Sequence, residues 1–348
     1  MRRFWTVGQC AALCAAFMQL AVAADPVADI ALYAGRDRTE RLLEGAREEG
    51  GLNLYTSLTV EDMAALNSAF EAKYGVKVRM WRGASEKVLQ RALTEARAGR
   101  HEVDIIETNA PPLEALHRER LLQAVRSPYH AELIPAALPT HREWVGSRLN
   151  VFVQAYNTKV VNKADLPKTY ADLQDPKWKG RLGIEASDED WFAAVIGELG
   201  ETEGLRLFRK VVADNGISVR KGHTLLANLV ASGDVPLALT VYNFTAEQLK
   251  RKGAPLDWFV IPPAVARANG LALARRAPHP HAALLYYDFM ISQDGQRILQ
   301  ARGFVPTGRG LDGPLAGRPL IIIDPALILD QAENWVRLYE SVFRSRGR

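Results

Sequence analysis

The residues of this 348-residue chain that could do chemistry gather in five short polar segments. Three are Ser57 to Thr59, Gly83 to Ser85 and Glu107 to Asn109. Each precedes a helical pattern and offers hydroxyl, amide or carboxylate groups beside free backbone N–H donors. Ser57, Thr59, Ser85, Glu107 and Asn109 are therefore candidate ligand residues, suited to anionic or oxygen-rich groups. Taken singly, Thr59 and Ser85 also read as ordinary helix caps. The fourth segment is acidic: Glu185, Asp188, Glu189 and Asp190 stand just before Trp191. Asp188 and Asp190 point to a cation, either a metal or an organic amine, with Trp191 as a cation–π face. The competing reading is an acidic helix start with Trp191 in the core. The fifth segment is Tyr242-Asn243, a phenol and an amide.

Other tempting groups read as structural. His279-Pro280-His281 sits in a proline-punctuated loop with weak metal spacing. Tyr286-Tyr287 lies within an apolar helix beside Phe289 and Met290, where aromatics ordinarily pack. The chain has no Walker A loop, no G-x-S-x-G, no H-E-x-x-H and no full dinucleotide fingerprint. Without a nucleophile-and-base arrangement, no enzyme activity and no cofactor are expected. An exported two-lobed enzyme is the remote alternative.

The elements that position these groups alternate. The spacing predicts a helix over 38–49, a strand over 52–56, a helix over 60–73 capped by Thr59 and ended by Gly75, and a strand over 76–81. A helix with Val88, Leu89 and Leu93 inward, and a buried strand over 103–106, follow. Further strands are expected at 150–156, 182–184, 217–219, 237–241 and 258–261, with helices near the end of the chain. Strands alternating with helices imply an α/β fold whose ligand crevice lies at the carboxyl ends of parallel strands.

The first residues read as an export signal: Arg2-Arg3, an uncharged run from Val7 to Leu20, then Ala21-Val22-Ala23. Both cysteines, Cys10 and Cys14, lie inside it, so the mature chain has no thiol chemistry. Arg2-Arg3 fits a twin-arginine signal poorly. Cleavage after Ala23 leaves 325 residues with 42 basic and 40 acidic side chains. That balance argues against a nucleic-acid partner. No second apolar stretch reaches membrane length.

Seven segments, in this order, resemble a known family. They are L-N-L-Y-T-S (52–57), Y-G-V-K-V-R (74–79), V-D-I-I (103–106), A-Y-N-T (155–158), P-K-W-K-G (176–180), G-D-V-P-L-A-L (233–239) and G-F-V-P (303–306). Together they resemble the periplasmic solute-binding proteins of ABC importers, of the type that includes the ferric-iron receptors. The resemblance spans the mature chain. It implies a type II periplasmic-binding fold: two α/β lobes joined by two hinge crossings that close on a ligand. Lobe 1 would comprise 24–150 and 271–348, and lobe 2 would comprise 151–270. It implies a periplasmic monomer that hands its ligand to a permease in the cytoplasmic membrane and does no catalysis.

The ligand residues depart from that family. Where ferric receptors carry a histidine, this chain has the neighbourhood of Thr59. Where they carry a glutamate, it has Asn109, with Glu107 two residues earlier. Their adjacent tyrosine pair is reduced to Tyr242 within Val241-Tyr242-Asn243-Phe244. Where some hold a synergistic anion, this chain offers carboxylates at Asp188 and Asp190. The expectation is a small organic solute, cationic if the acids hold it. Ferric iron or a ferric chelate is the alternative, and whether a metal is bound stays open. The export reading predicts a mature N-terminus at Ala24; sequencing the processed protein checks it, and a retained Met1 in a membrane fraction would overturn it.

Overall fold

The computed structural model describes residues 26–311, 315 and 318–344. The expected export signal and its cleavage site lie outside the described residues. The chain opens with α1 (Pro26–Leu32) and α2 (Arg38–Glu49). Then β1 (Gly51–Thr56), α3 (Val60–Tyr74), β2 (Lys77–Arg82), α4 (Ser85–Arg97), β3 (Ile105–Asn109) and α5 (Ala110–Arg118) alternate. Local chemistry sets these boundaries. The Thr59 hydroxyl accepts from the Asp62 N–H to start α3, and Gly75, at φ 73°, ends it. β1 pairs in parallel with both β2 and β3. The short β4 (Leu122–Gln123) leads to β5 (Val145–Asn157), thirteen residues that are all buried.

A second alternating unit follows. It comprises β6 (Leu182–Glu185), α6 (Glu189–Leu199), α7 (Glu201–Asn215), β7 (Ser218–Arg220), α8 (His223–Ser232), β8 (Leu237–Tyr242), α9 (Asn243–Arg251) and β9 (Leu256–Phe259). β10 (Ala264–Ala274) then returns through the middle of the sheet, again buried throughout. The remainder is α10 (Pro280–Ile291), α11 (Gln293–Ala301), β11 (Val305–Pro306), β12 (Leu320–Ile322), α12 (Pro325–Asp330) and α13 (Ala332–Phe343).

One sheet carries both units, in the order β2-β1-β3-β10-β5-β8-β6-β7. β5 and β10 are its antiparallel centre, with Val265 opposite Phe152 and Asn269 opposite Arg148. Their register shifts between Asn269 and Gly270. A Cβ at Gly270 would stand 2.0 Å from the Val145 carbonyl oxygen, so only glycine fits this close approach. One end of β10 pairs with β3, and the early part of β5 runs beside β11 while its later part pairs with β8 and β9. The two long strands thus pass from one unit into the other.

The late helices divide between the units. α10 packs on α2, and the buried Arg38 and Asp288 pair at 3.0 Å. Tyr286 and Tyr287 are fully buried there; Tyr286 stands edge-on to Phe70 and donates to Asn67 at 2.7 Å. The grouping expected for 271–348 fails at the C-terminus. α13 lays Tyr339 and Phe343 against Phe192, and Phe343 also against Phe208, of the second unit. Its apolar face finds an aromatic partner there. His279 and His281 have the structural role expected of them, each meeting a carboxylate distant in sequence. His279 reaches Asp104 at 2.9 Å and His281 reaches Glu49 at 2.7 Å, so the two rings serve different anchors.

His130 is buried beneath α10, with Nε2 2.9 Å from the Tyr287 hydroxyl. Burial, aided by the charges of Arg142 and Arg38, pushes its pKa down to about 4. A depressed pKa adds stability that is complete above the unfolded value of about 6.5 and disappears as pH falls through 4. Urea unfolding between pH 7 and 4 should show about 3 kcal/mol of acid loss from this group. His130→Gln should remove that part of the slope, and an unchanged slope would contradict it.

Candidate ligand cleft

The polar segments lie where the strands meet their helices. From the first unit come Ser57 and Thr59 after β1, Ser85 after β2 and Asn109 at the end of β3, all half-buried. From the second come the β6–α6 loop, the start of α8 and Tyr242-Asn243 between β8 and α9. β5 and β10 supply the floor. There the Asn109 amide oxygen accepts from Asn269 at 3.0 Å and from Asn150 at 3.4 Å. The other amide oxygens of Asn150 and Asn269 are buried without a partner.

The two walls touch around a gap of about 160 Å³ lined by Thr59, Thr224, Asn228, Phe244 and Gln248, among others. Gln248 of α9 donates to Asp62 at 3.0 Å, Lys252 meets Glu61 at 3.2 Å, and Asn243 donates to the Gly303 carbonyl at 3.1 Å. Two larger cavities, of about 290 and 480 Å³, lie around His101 in the first unit. They flank the opposite ends of the strands, away from the converging loops, so the gap between the walls is the better candidate.

Several candidates are already committed to partners. Glu107 is fully buried, accepts from Arg148 at 2.6 Å and from the Thr56 hydroxyl at 2.5 Å. It neutralises Arg148 rather than facing the cleft as a free carboxylate. Thr59 spends its hydroxyl capping α3 and donating to Asp62 at 2.6 Å. Asn243 is fully buried, holding the Gly303 carbonyl and accepting from the Val151 N–H at 3.4 Å. Trp191 is 1% exposed and stands edge-on to Tyr170 and Phe208 in the aromatic core, so its face is not offered as a cation–π surface.

The acidic loop holds a cation of the protein's own. Arg267, from the middle of β10, reaches Asp190 at 2.6 Å and Asp188 at 3.2 Å. Its guanidinium stands 5.0 Å over the Phe152 ring. His223, at the start of α8, reaches Asp188 at 3.3 Å and lies against the Tyr242 ring, centroids 3.8 Å apart. Glu185 accepts from the backbone N–H groups of Gly222 and Ser187.

The environment sorts the charges. Burial favours neutral Asp188, but the His223 charge and hydrogen bond, with the Arg267 charge, outweigh it and hold its pKa below the ordinary value. Burial raises Asp190 against the pull of Arg267. Burial, reinforced by the charges of Asp188 and Asp190, pushes Glu189 up to about 7. His223 is raised, because Asp188 more than offsets its burial. Burial and the nearby carboxylates raise Tyr242, so it presents a neutral phenol, and its hydroxyl has no hydrogen-bond partner among the described residues.

Arg267, Arg148, His223, Asn150 and Asn269 escaped the sequence reading. The signal for the first was present. Arg267 interrupts A-V-A-R-A-N-G-L-A-L-A, and an arginine in a buried strand must be paired.

The two lobes, the paired crossing strands and the cleft define a type II periplasmic-binding fold. The chain matches the family described as bacterial extracellular solute-binding protein over residues 104–331, and it belongs to that family. It is 22% identical over 267 residues to the Fe(3+)-binding periplasmic protein of Serratia marcescens, covering 74% of this chain and 78% of that one. Iron-bound HitA from Pseudomonas aeruginosa superposes with a TM-score of 0.73 at 25% identity, covering 84% of this chain and 99% of HitA. AfuA from Actinobacillus pleuropneumoniae, with fructose-6-phosphate bound, gives 0.74 at 21% identity, covering 85% and 99%. The chain is thus the solute-binding component of an ABC importer, and its relatives are binding proteins rather than enzymes.

Removing one partner of a buried ion pair strands the other charge, at about 3–5 kcal/mol. Glu107→Ala should therefore lower the unfolding free energy by that amount in denaturant titration. A residue that acted only on ligand would leave stability unchanged.

Proposed function

We propose that this protein is exported to the periplasm, captures a small organic anion between its lobes, and delivers it to an ABC permease in the cytoplasmic membrane. The ligand class rests on one observation. Asp188 and Asp190, which alone would invite a cation, are already ion-paired with Arg267. Beside the amide oxygens of Asn150 and Asn269, which accept, the cleft offers donors. The starts of α4, α8 and α9 have no side-chain cap among the described residues, so their first N–H groups and the positive ends of the helix dipoles are left without a side-chain acceptor. Arg82, Arg220 and Lys221 add exposed positive charge near the same loops. The neutral Tyr242 hydroxyl is a further donor. This replaces the cationic solute expected from composition of the loop alone. AfuA, whose structure holds a sugar phosphate, shares the fold.

A thermal-shift screen of the mature protein should find stabilisation by phosphorylated sugars or by carboxylates, and none by polyamines or ferric salts. A ligand at 100 times its dissociation constant adds about 2.7 kcal/mol. Ser85→Ala and Tyr242→Phe should each weaken the hit by about 0.5–1.5 kcal/mol in calorimetry. Stabilisation by amines or ferric salts alone would overturn the ligand class.

A further inference from the structure

The acidic loop has the makings of a metal site that is held shut. Ligand atoms of Glu185, Asp188 and His223 all lie within 4.8 Å of one another. The second carboxylate oxygen of Asp188 is buried and has no hydrogen-bond partner among the described residues. Two carboxylates and an imidazole are the oxygen and nitrogen donors that transition metals accept. The first Asp188 oxygen, however, is shared by His223 at 3.3 Å and Arg267 at 3.2 Å. Arg267 is 8% exposed and its chain is fixed in the central strand β10. It also holds Asp190, so its guanidinium cannot swing away without stranding a second carboxylate. A metal cation approaching these donors would meet a fixed positive charge in a poorly solvated place, where repulsion is strong.

We propose that Arg267 is a specificity residue: a tethered cation that satisfies the charge of a metal-type donor set, so that the cleft rejects free metal ions. The proposal extends the anion reading given above, and the two can fail separately. Lysine would keep the charge but lose the two-sided grip of the planar guanidinium. Neutral glutamine would leave Glu185, Asp188 and His223 in place without the guanidinium charge.

A second donor set must be kept out of the measurement. Glu114, His117 and His141 also converge, although the two rings stack with centroids 3.7 Å apart at 11° and cannot both aim in-plane lone pairs at one ion. The titrations are therefore done in a His141→Ala background, with zinc chloride and with ferric nitrilotriacetate, by calorimetry. With Arg267 present, neither metal should bind in a manner that depends on His223. Arg267→Gln should tighten zinc binding by at least about 100-fold, and adding His223→Ala or Asp188→Asn should abolish the gain. Arg267→Lys should stay unresponsive. Zinc affinity unchanged in Arg267→Gln would overturn the proposal, as would tight, His223-dependent metal binding with Arg267 in place. If Arg267→Gln does not fold without metal, its refolding yield in zinc against chelator is the readout. A yield rescued by zinc supports the proposal, and equal failure in both overturns it. Stabilisation by an anionic solute in the screen bears on the ligand class alone, whatever these titrations give.

Discussion

The antiparallel pairing of β5 with β10 is the constraint from which the rest of the molecule hangs. These two strands run through the centre of the sheet, and every residue in both is buried. They cross between the units, so each half is built onto the same pair of strands. Most positions are apolar, so the buried polar ones stand out by necessity. Arg148 and Asn150 on β5, and Arg267 and Asn269 on β10, need partners in a place with little water. The first unit answers Arg148 with Glu107 and the asparagines with Asn109. The second unit answers Arg267 with Asp188 and Asp190. The strands thereby connect the halves electrostatically as well as by backbone.

This arrangement ties the energetics of the fold to the character of the cleft. Buried ion pairs contribute little net stability, since desolvation offsets attraction, yet breaking one is costly. What they fix is geometry and sign. Arg267 offsets part of the negative charge of the acidic loop, and Arg148 offsets that of Glu107. Uncapped helix starts and neutral hydroxyl and amide groups remain at the neighbouring loops. The contacts between α9 and the first unit, through Gln248, Lys252 and Asn243, lie beside this gap. A rotation of one unit against the other about the central strands would have to break or remake them.

The C-terminal segment adds a second link. β12 pairs with β10, α12 packs on α5 with Arg118 2.8 Å from Asp330, and α13 crosses to α6 and α7. The Tyr339 hydroxyl donates to the Glu185 carbonyl, and Arg344 donates to that of Ala186 at 2.8 Å. The last helix therefore braces the backbone of the acidic loop from behind.

The sequence by itself determined the local elements and which polar loops stand at the ends of the strands. Thr59 with Asp62, and Gly75 after Tyr74, bound α3 through contacts within a few residues. The alternation of strand and helix put Ser57, Ser85, Asn109 and Tyr242 at the carboxyl ends of strands, because each βα step turns the chain the same way. The ordered motifs were enough to suggest the family. Only the tertiary structure decided the charge of the site. Arg267 follows Asp190 by 77 residues and Arg148 follows Glu107 by 41. Coulombic pairing acts across space, so no periodicity or spacing records it. The same holds for His279 with Asp104, 175 residues apart, and for the C-terminal helix, whose amphipathic face could have docked on either lobe. Its place was set by which aromatic surface was left uncovered, and that is a property of the folded second unit.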